Sequence, residues 1–369
     1  MNITVIGPTY PYKGGISHFT TLLVQNLRKE HKVDLISWKR QYPSFLYPVA
    51  LKDTQSKIPI KTEARFLLDF FNPFSWIQAV FDIKKNNADL LILAWASPIQ
   101  APIYFVICFL TKSLTKTKIL YICHNVLPHE NKFYDKALIK MAFMYADSFI
   151  VHSSDDKKIL EGLVKNKEIK KGFLPLYDIF QKAKSYDIKK IKQDLGLKEK
   201  VLMFFGYIRP YKGLEYLIQA MPEILKKYPE TSLLSVGEFW SKDKPKYIEL
   251  INTLHLEKNI VFIDTYVPNE ELGKYFAVSD VVVLPYISAT QSAAIQTAYA
   301  FDKPVISTPV GGLKDVMKEG VTGYIIKSEN SEDIVEKVEK FYSSWKLSNE
   351  YKKFISQFSW SNYLKLISN

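Results

Sequence analysis

Short uninterrupted apolar runs alternate along this chain with longer stretches in which apolar residues return every three or four positions. The runs Ile3 to Ile6, Val33 to Trp38, Leu90 to Leu93, Lys118 to Ile122 and Ser148 to His152 predict strands. Between them, Ser17 to Lys29, Phe66 to Lys84 and Lys132 to Tyr145 carry helical spacing. Strands that are apolar throughout are buried on both faces, so the alternation predicts a parallel sheet with helices on either side. A charged, weakly apolar break covers residues 183 to 200, after which the alternation restarts. Val201 to Phe205, Ser232 to Val236, Ile260 to Ile263, Val281 to Leu284 and Pro304 to Ser307 predict a second set of strands, and Leu214 to Tyr228, Asn269 to Phe276 and Ala293 to Phe301 predict helices. The expected architecture is α/β: two Rossmann-like doubly wound domains, residues 1–180 and 181–350, facing across a cleft. A helical segment, 351–369, follows. Open sheets of this kind bind ligands beyond the carboxyl ends of their strands.

One segment imitates a membrane span. Leu90 to Thr111 holds 22 consecutive uncharged residues, long enough to cross a bilayer. Pro98, Gln100 and Pro102 interrupt it, which predicts a strand, a turn and a helix instead.

Composition narrows the class further. With 47% hydrophobic and 24% charged residues, the chain can fill sizeable cores. Its two cysteines, Cys108 and Cys123, are too few for a disulfide framework or a cysteine-rich zinc site. The opening residues Met1 to Gly7 read as part of the first strand and not as a signal peptide, so a cytoplasmic location is expected. The net charge of +12 is uneven: residues 1 to 180 hold 24 basic against 15 acidic side chains, or +9. That bias fits an anionic partner. Scattered lysines without a zinc-finger, basic-zipper or RNP-type pattern argue against nucleic acid. The aromatic segment Trp38, Tyr42, Phe45, Tyr47, with Lys112, Lys116 and Lys118 after the apolar helix, suggests peripheral contact with the inner face of the cell membrane.

Candidate chemistry gathers in the loops after the predicted strands. Gly14-Gly15 precede a helix, where glycine lets backbone N–H groups approach a phosphate or a sugar hydroxyl. The loop fits neither the dinucleotide fingerprint nor the P-loop. His124 follows the fourth strand and can hydrogen-bond a substrate hydroxyl, or serve only as a satisfied core side chain; His129 and Glu130 nearby read as a surface pair. In the second half, Gly206-Tyr207-Ile208-Arg209-Pro210-Tyr211-Lys212-Gly213 sets two cations beside a helix start, an arrangement suited to a diphosphate. Gln291, Ser292 and Ala293 offer free N–H groups at another helix start, unless Ser292 merely caps it.

The ordered set Lys13-Gly14-Gly15, His124, Gly206 with Arg209 and Lys212, Val236-Gly237-Glu238, Tyr266-Val267-Pro268, Ser279-Asp280, Lys303-Pro304-Val305-Ile306 and Gly311-Gly312 resembles the family-4 glycosyltransferases of the GT-B fold, over essentially the whole chain. The resemblance implies retaining, metal-independent transfer of a sugar from a nucleotide-diphosphate donor to a glycan or lipid-linked acceptor, as in surface polysaccharide biosynthesis. No cofactor is implied, and Phe358-Ser359-Trp360 resembles the segment that crosses back to the first domain. It assigns catalysis to His124, Arg209 and Lys212. Donor binding falls to Gly14, Gly15, Gly206, Glu238, Tyr266, Val267, Gln291, Ser292, Ala293 and Thr297.

One departure qualifies the match. The family's two glutamates, eight positions apart, align here with Ala289 and Thr297, leaving Gln291 or Gln296 as neutral substitutes. The alternative expectation is a GT-B-fold nucleotide-sugar-binding or scaffolding protein with little or no catalysis. A sugar-nucleotide epimerase of the same fold is disfavoured, because proton transfer needs carboxylates that these loops lack.

Overall fold

The structure, a computed structural model, describes residues 1–43, 52–128, 132–181, 186–240 and 242–368. These residues hold two wholly parallel sheets. The first contains β1 (Asn2–Ile6), β2 (Lys32–Arg40), β3 (Arg65–Asp69), β4 (Leu90–Trp95), β5 (Lys118–Cys123), β6 (Ser148–Val151) and β7 (Glu168–Lys171), in the order β3-β2-β1-β4-β5-β6-β7. Helices α1 (Gly15–Leu27), α2 (Pro73–Lys85), α3 (Ala101–Leu114), α4 (Asp135–Phe143) and α5 (Ser154–Leu163) alternate with them. Central β1 shows why the strands read as apolar runs. Val5 lies between Leu35 and Ile92, and all three are fully buried.

The second sheet contains β8 (Lys200–Phe205), β9 (Thr231–Val236), β10 (Ile260–Ile263), β11 (Val281–Leu284), β12 (Val305–Ser307) and β13 (Gly323–Ile325), in the order β10-β9-β8-β11-β12-β13. Its helices are α6 (Ile188–Asp194), α7 (Leu214–Lys227), α8 (Lys244–Thr253), α9 (Leu272–Val278), α10 (Ala293–Ala300), α11 (Ser331–Ser344) and α12 (Asn349–Ser356), and α13 (Trp360–Ser368) ends the chain. Strand order reverses between β1 and β4 in one sheet and between β8 and β11 in the other. Such reversal opens a crevice at the carboxyl ends of the strands.

The chain divides into a unit of Met1–Thr54, Pro59–Phe173 and Trp360–Asn369 and a unit of Gln55–Ile58 and Leu174–Ser359. The first boundary thus falls slightly before residue 180, and α12 stays with the second unit while α13 joins the first. Gln55–Ile58 counts with the second unit because the Glu270 carboxylate accepts the Lys57 N–H at 2.7 Å and the Asn269 N–H donates to Ser56 Oγ.

The helix expected over 66–84 begins only at Pro73; Arg65–Asp69 is instead the edge strand β3. Asn72 caps the helix by accepting the Phe74 N–H, and Pro73 occupies its first turn, where a missing N–H costs nothing. The edge strands β7 and β13 escape the periodicity because they are short, and β7 carries one apolar residue among four. The uncharged stretch from Leu90 splits as expected into β4, a single turn Pro98–Gln100, and α3. Among the described residues, no helix is long and apolar enough to cross a membrane.

The expected membrane-facing aromatic segment is corrected by the fold. Trp38 is fully buried in the first core and Tyr42 is nearly buried, while Phe45 and Tyr47 lie outside the described residues. Lys112 is held by Asp147 at 2.6 Å and by the Thr117 carbonyl, so its charge is already answered.

Candidate functional site

In the second unit, the predicted residues converge on the carboxyl ends of β8, β9 and β11. Beyond its last residue β8 stays zipped to the chain leaving β9. The Gly206 N–H donates to the Val236 carbonyl, Ile208 N–H to Glu238 and Trp240 N–H to Ile208. This extension brings the Arg209 guanidinium over the Trp240 ring at 3.9 Å. Pro210–Lys212 then forms one 3-10 turn, and Gly213 takes a left-handed conformation (φ 66°) to start α7. A side chain at Gly213 would lie 2.0 Å from the Pro285 carbonyl oxygen, so the turn requires glycine twice over.

Lys212 is half-buried, with its ammonium 5.3 Å from the Tyr286 ring centroid. Burial, and secondarily the neighbouring Arg209, push its pKa down to about 7. Among the described residues no carboxylate pairs with Lys212 or Arg209. The Ile287 N–H donates to the Tyr211 carbonyl, which fastens the segment after β11 to this turn. Glu238 is beside it: its Oε2 is buried without a hydrogen-bond partner. Burial and the Glu238 charge raise the Tyr207 hydroxyl to about 12.

The loop from Ala289 to Ser292 is held by the glycine turn before Leu313. The Gly312 N–H donates to Thr290, and a side chain at Gly312 would meet the Gln291 amide nitrogen at 2.3 Å. Ser292 sits at the N-cap of α10 but makes no cap hydrogen bond, so ordinary capping does not account for it. Gln291 Nε2 and Gln296 Oε1 are buried and unpartnered. Buried polar atoms are normally satisfied, and such exceptions in a crevice are places for a polar ligand. Thr297 differs: its hydroxyl donates to the Ala293 carbonyl at 2.8 Å, so the expected donor contact is already spent within the helix. Tyr266 and Val267 lie half-buried in the loop after β10.

Other parts of the motif set prove to be scaffolding. Asp280 accepts the Val201 N–H and the Tyr342 hydroxyl, and Lys303 Nζ donates to the Ser279 carbonyl at 2.7 Å. These bonds clamp the amino ends of the central strands, away from the crevice.

In the first unit, Gly14 forms the N-cap of α1 and Gly15 its first residue. His124 follows β5, with its N–H donated to the Trp95 carbonyl. Its ring meets Phe19 edge-on at 4.8 Å and lies 5.5 Å from that of His152. Burial lowers its pKa to about 3, so the imidazole is neutral. Nε2 has no partner, so His124 is not a satisfied core histidine. His129 and Glu130 lie outside the described residues.

Sequence reasoning missed Trp240, Tyr286 and His152. His152 is fully buried after β6 and shares a 2.9 Å hydrogen bond with the Tyr363 hydroxyl of α13. Its place directly after a predicted strand, like that of His124, was the available signal. Among the described residues, no group of three or more His, Cys, Asp or Glu is arranged to hold a metal ion.

Two wholly parallel sheets of this order match the GT-B architecture, and solved structures agree. HepE of Anabaena in complex with UDP superposes with a TM-score of 0.76 at 17% identity, covering 100% of this chain and 98% of that one. Sucrose-phosphate synthase of Thermosynechococcus elongatus gives 0.72 at 16% identity, covering 100% and 97%. Residues 186–357, within the second unit, match the model of the family of glycosyl transferases group 1. Curated relatives match over a similar span. An uncharacterized glycosyltransferase of Methanocaldococcus jannaschii, MJ1607, is 32% identical over 182 residues, 47% of this chain and 45% of its own length. Spore coat protein SA of Bacillus subtilis is 27% identical over 179 residues, 47% of this chain and 48% of its own. The chain thus spans about half the length of the curated relatives it matches.

Proposed function

We propose that this protein transfers a sugar, with retention of anomeric configuration, from a nucleotide-diphosphate donor to a glycan or lipid-linked acceptor in surface glycan assembly. The observation that carries the proposal is the pair Arg209 and Lys212, two cations that no carboxylate pairs with among the described residues, at the switch point of the second sheet. When the bond from the anomeric carbon to the phosphate oxygen breaks, its electron pair leaves with the diphosphate. The two cations and the uncapped N–H groups of Ser292 and Ala293 stabilise that charge, a preorganised contribution worth several kcal/mol. Glu238 Oε2, Gln291 Nε2 and Gln296 Oε1 remain available to hydroxyl and amide groups of the donor. In the first unit, neutral His124 offers Nε2 to a sugar hydroxyl, and the Gly14-Gly15 turn lets the donor approach the start of α1. Acceptor recognition is assigned to this unit.

The test is a thermal-shift screen against UDP, GDP, ADP and their sugars, followed by donor hydrolysis and transfer with Arg209→Ala. A ligand that binds only the native state raises Tm. The expected outcome is stabilisation by one nucleotide family and slow turnover, reduced on the order of a hundredfold in the variant. Stabilisation without any turnover would favour a donor-binding protein lacking catalysis, consistent with the exchange of the family glutamates for Ala289 and Thr297. A folded variant with unchanged turnover would remove Arg209 from the site.

A further inference from the structure

Three neighbouring helices of the first unit cover one face of its sheet, α3 packing between α2 and α4. Their inner sides fill the core through residues such as Val80, Ile107 and Phe143. The outer sides of α2 and α3 are apolar as well. On α2, Phe74, Ile77 and Phe81 follow one another at spacings of three and four on one stripe, with Phe74 80% and Phe81 58% exposed. Phe109 projects from α3, and Phe133, 96% exposed, and Met144 flank α4, whose own exposed residues are Lys136, Ala137 and Lys140. A helix buried on one side is ordinarily polar on the other, so apolar outer faces on two adjacent helices mark an interaction surface.

Charge identifies what the surface meets. Lys84 and Lys85 end α2, and Lys136 and Lys140 line α4, all exposed. The carboxylates of this layer are committed elsewhere: Asp82 to Arg65, Asp135 to the Lys132 N–H and Asp147 to Lys112. Among the described residues no carboxylate pairs with these lysines, which share the layer with the exposed aromatic rings. Aromatic side chains that insert among acyl chains beside cations that attract phosphates form the chemistry of an interfacial anchor.

We propose that the outer face of α2, α3 and α4 docks on an anionic phospholipid surface. At 14 residues α3 is about 21 Å long, short of the roughly 30 Å hydrocarbon core, so the contact lies in the interface and does not span it. Binding is read without a donor or acceptor and stands or falls separately from the transfer reaction.

The experiment is flotation of the full chain with phosphatidylglycerol-containing and pure phosphatidylcholine vesicles across a salt series. Binding to the anionic vesicles, weakened by salt, is expected. The double change Phe74→Ser, Phe81→Ser removes largely exposed rings, and should lower partitioning on the order of tenfold or more with Tm unchanged. Lys84→Glu with Lys136→Glu should lower it by on the order of tenfold or more, whereas Lys352→Glu with Lys353→Glu on the second unit should not. An equal loss from both lysine pairs would assign the binding to net charge and overturn the proposal. So would indifference to anionic vesicles at low salt. Self-association abolished by the phenylalanine changes, without vesicle binding, would overturn it in favour of a second copy.

Discussion

Lys212 makes the proposed donor site sensitive to pH. Burial and Arg209 lower its pKa from the ordinary 10.5 to about 7, so the free protein loses this charge as pH rises through neutrality. A bound diphosphate brings a negative charge to the ammonium and returns the pKa toward its ordinary range. Binding then takes up a proton above pH 7: affinity is complete below about pH 7 and declines above it, because neutral Lys212 must first be protonated. With a free pKa near 7, Lys212 is about 10% neutral at pH 6 and about 90% neutral at pH 8, which weakens the donor by about tenfold, or about 1.4 kcal/mol. At pH 9 the loss is on the order of a hundredfold. Groups facing Lys212 do not obscure the measurement. Burial raises the Tyr286 hydroxyl far above this range. The assay is isothermal titration with the nucleotide sugar selected by the thermal screen, in buffers of different ionisation enthalpy, at pH 6, 8 and 9. The diphosphate diester itself does not titrate there. Lys212→Arg, charged throughout, should bind with little pH dependence, even if more weakly at pH 6. A flat affinity profile for the wild type, or the same slope in Lys212→Arg, would refute the reasoning.

Two glycines test the geometry by their contrast. Gly213→Ala combines positive φ with a clash at the Pro285 carbonyl and should cost roughly 2–4 kcal/mol, whereas Gly14→Ala, at φ 98° with nothing within 4 Å, should cost about 1–2 kcal/mol. Denaturant unfolding measures both, and equal losses would discount the clash. His124→Ala should depress transfer while leaving nucleotide affinity nearly unchanged, because its unpartnered Nε2 belongs to the first unit and the diphosphate cations to the second. Since its pKa is held near 3, no inflection in the rate between pH 5 and 8 should disappear with the variant.

Much of the architecture was legible because a doubly wound sheet is written in local periodicity. The central runs at Leu90, Val201 and Val281 are apolar at every position, and that at Ile3 at all but Thr4, as burial on both faces demands. The glycine and cation motif after β8 was equally visible, since a tight turn before a helix restricts residue types position by position. Edge strands were not, because solvent on one side relaxes the requirement for apolar residues.

The sequence alone determined two α/β units, the loops that follow their strands, and the candidate residues those loops carry. Only the tertiary structure decided which of those residues remain free for a ligand. Lys303 and Asp280 belong to the same motif set as Lys212, yet they are fastened into the scaffold, whereas Lys212 lies over a ring with its pKa lowered. Thr297 spends its hydroxyl on a helix carbonyl, while Gln296 beside it keeps an unpartnered oxygen. Trp38 is sealed in the core, and Phe74, no less apolar in the sequence, faces outward. The reason is the range of the forces: periodicity and turn chemistry act between near neighbours in the chain, whereas burial, hydrogen-bond partners and charge pairing are fixed by segments that meet only after the crossovers close.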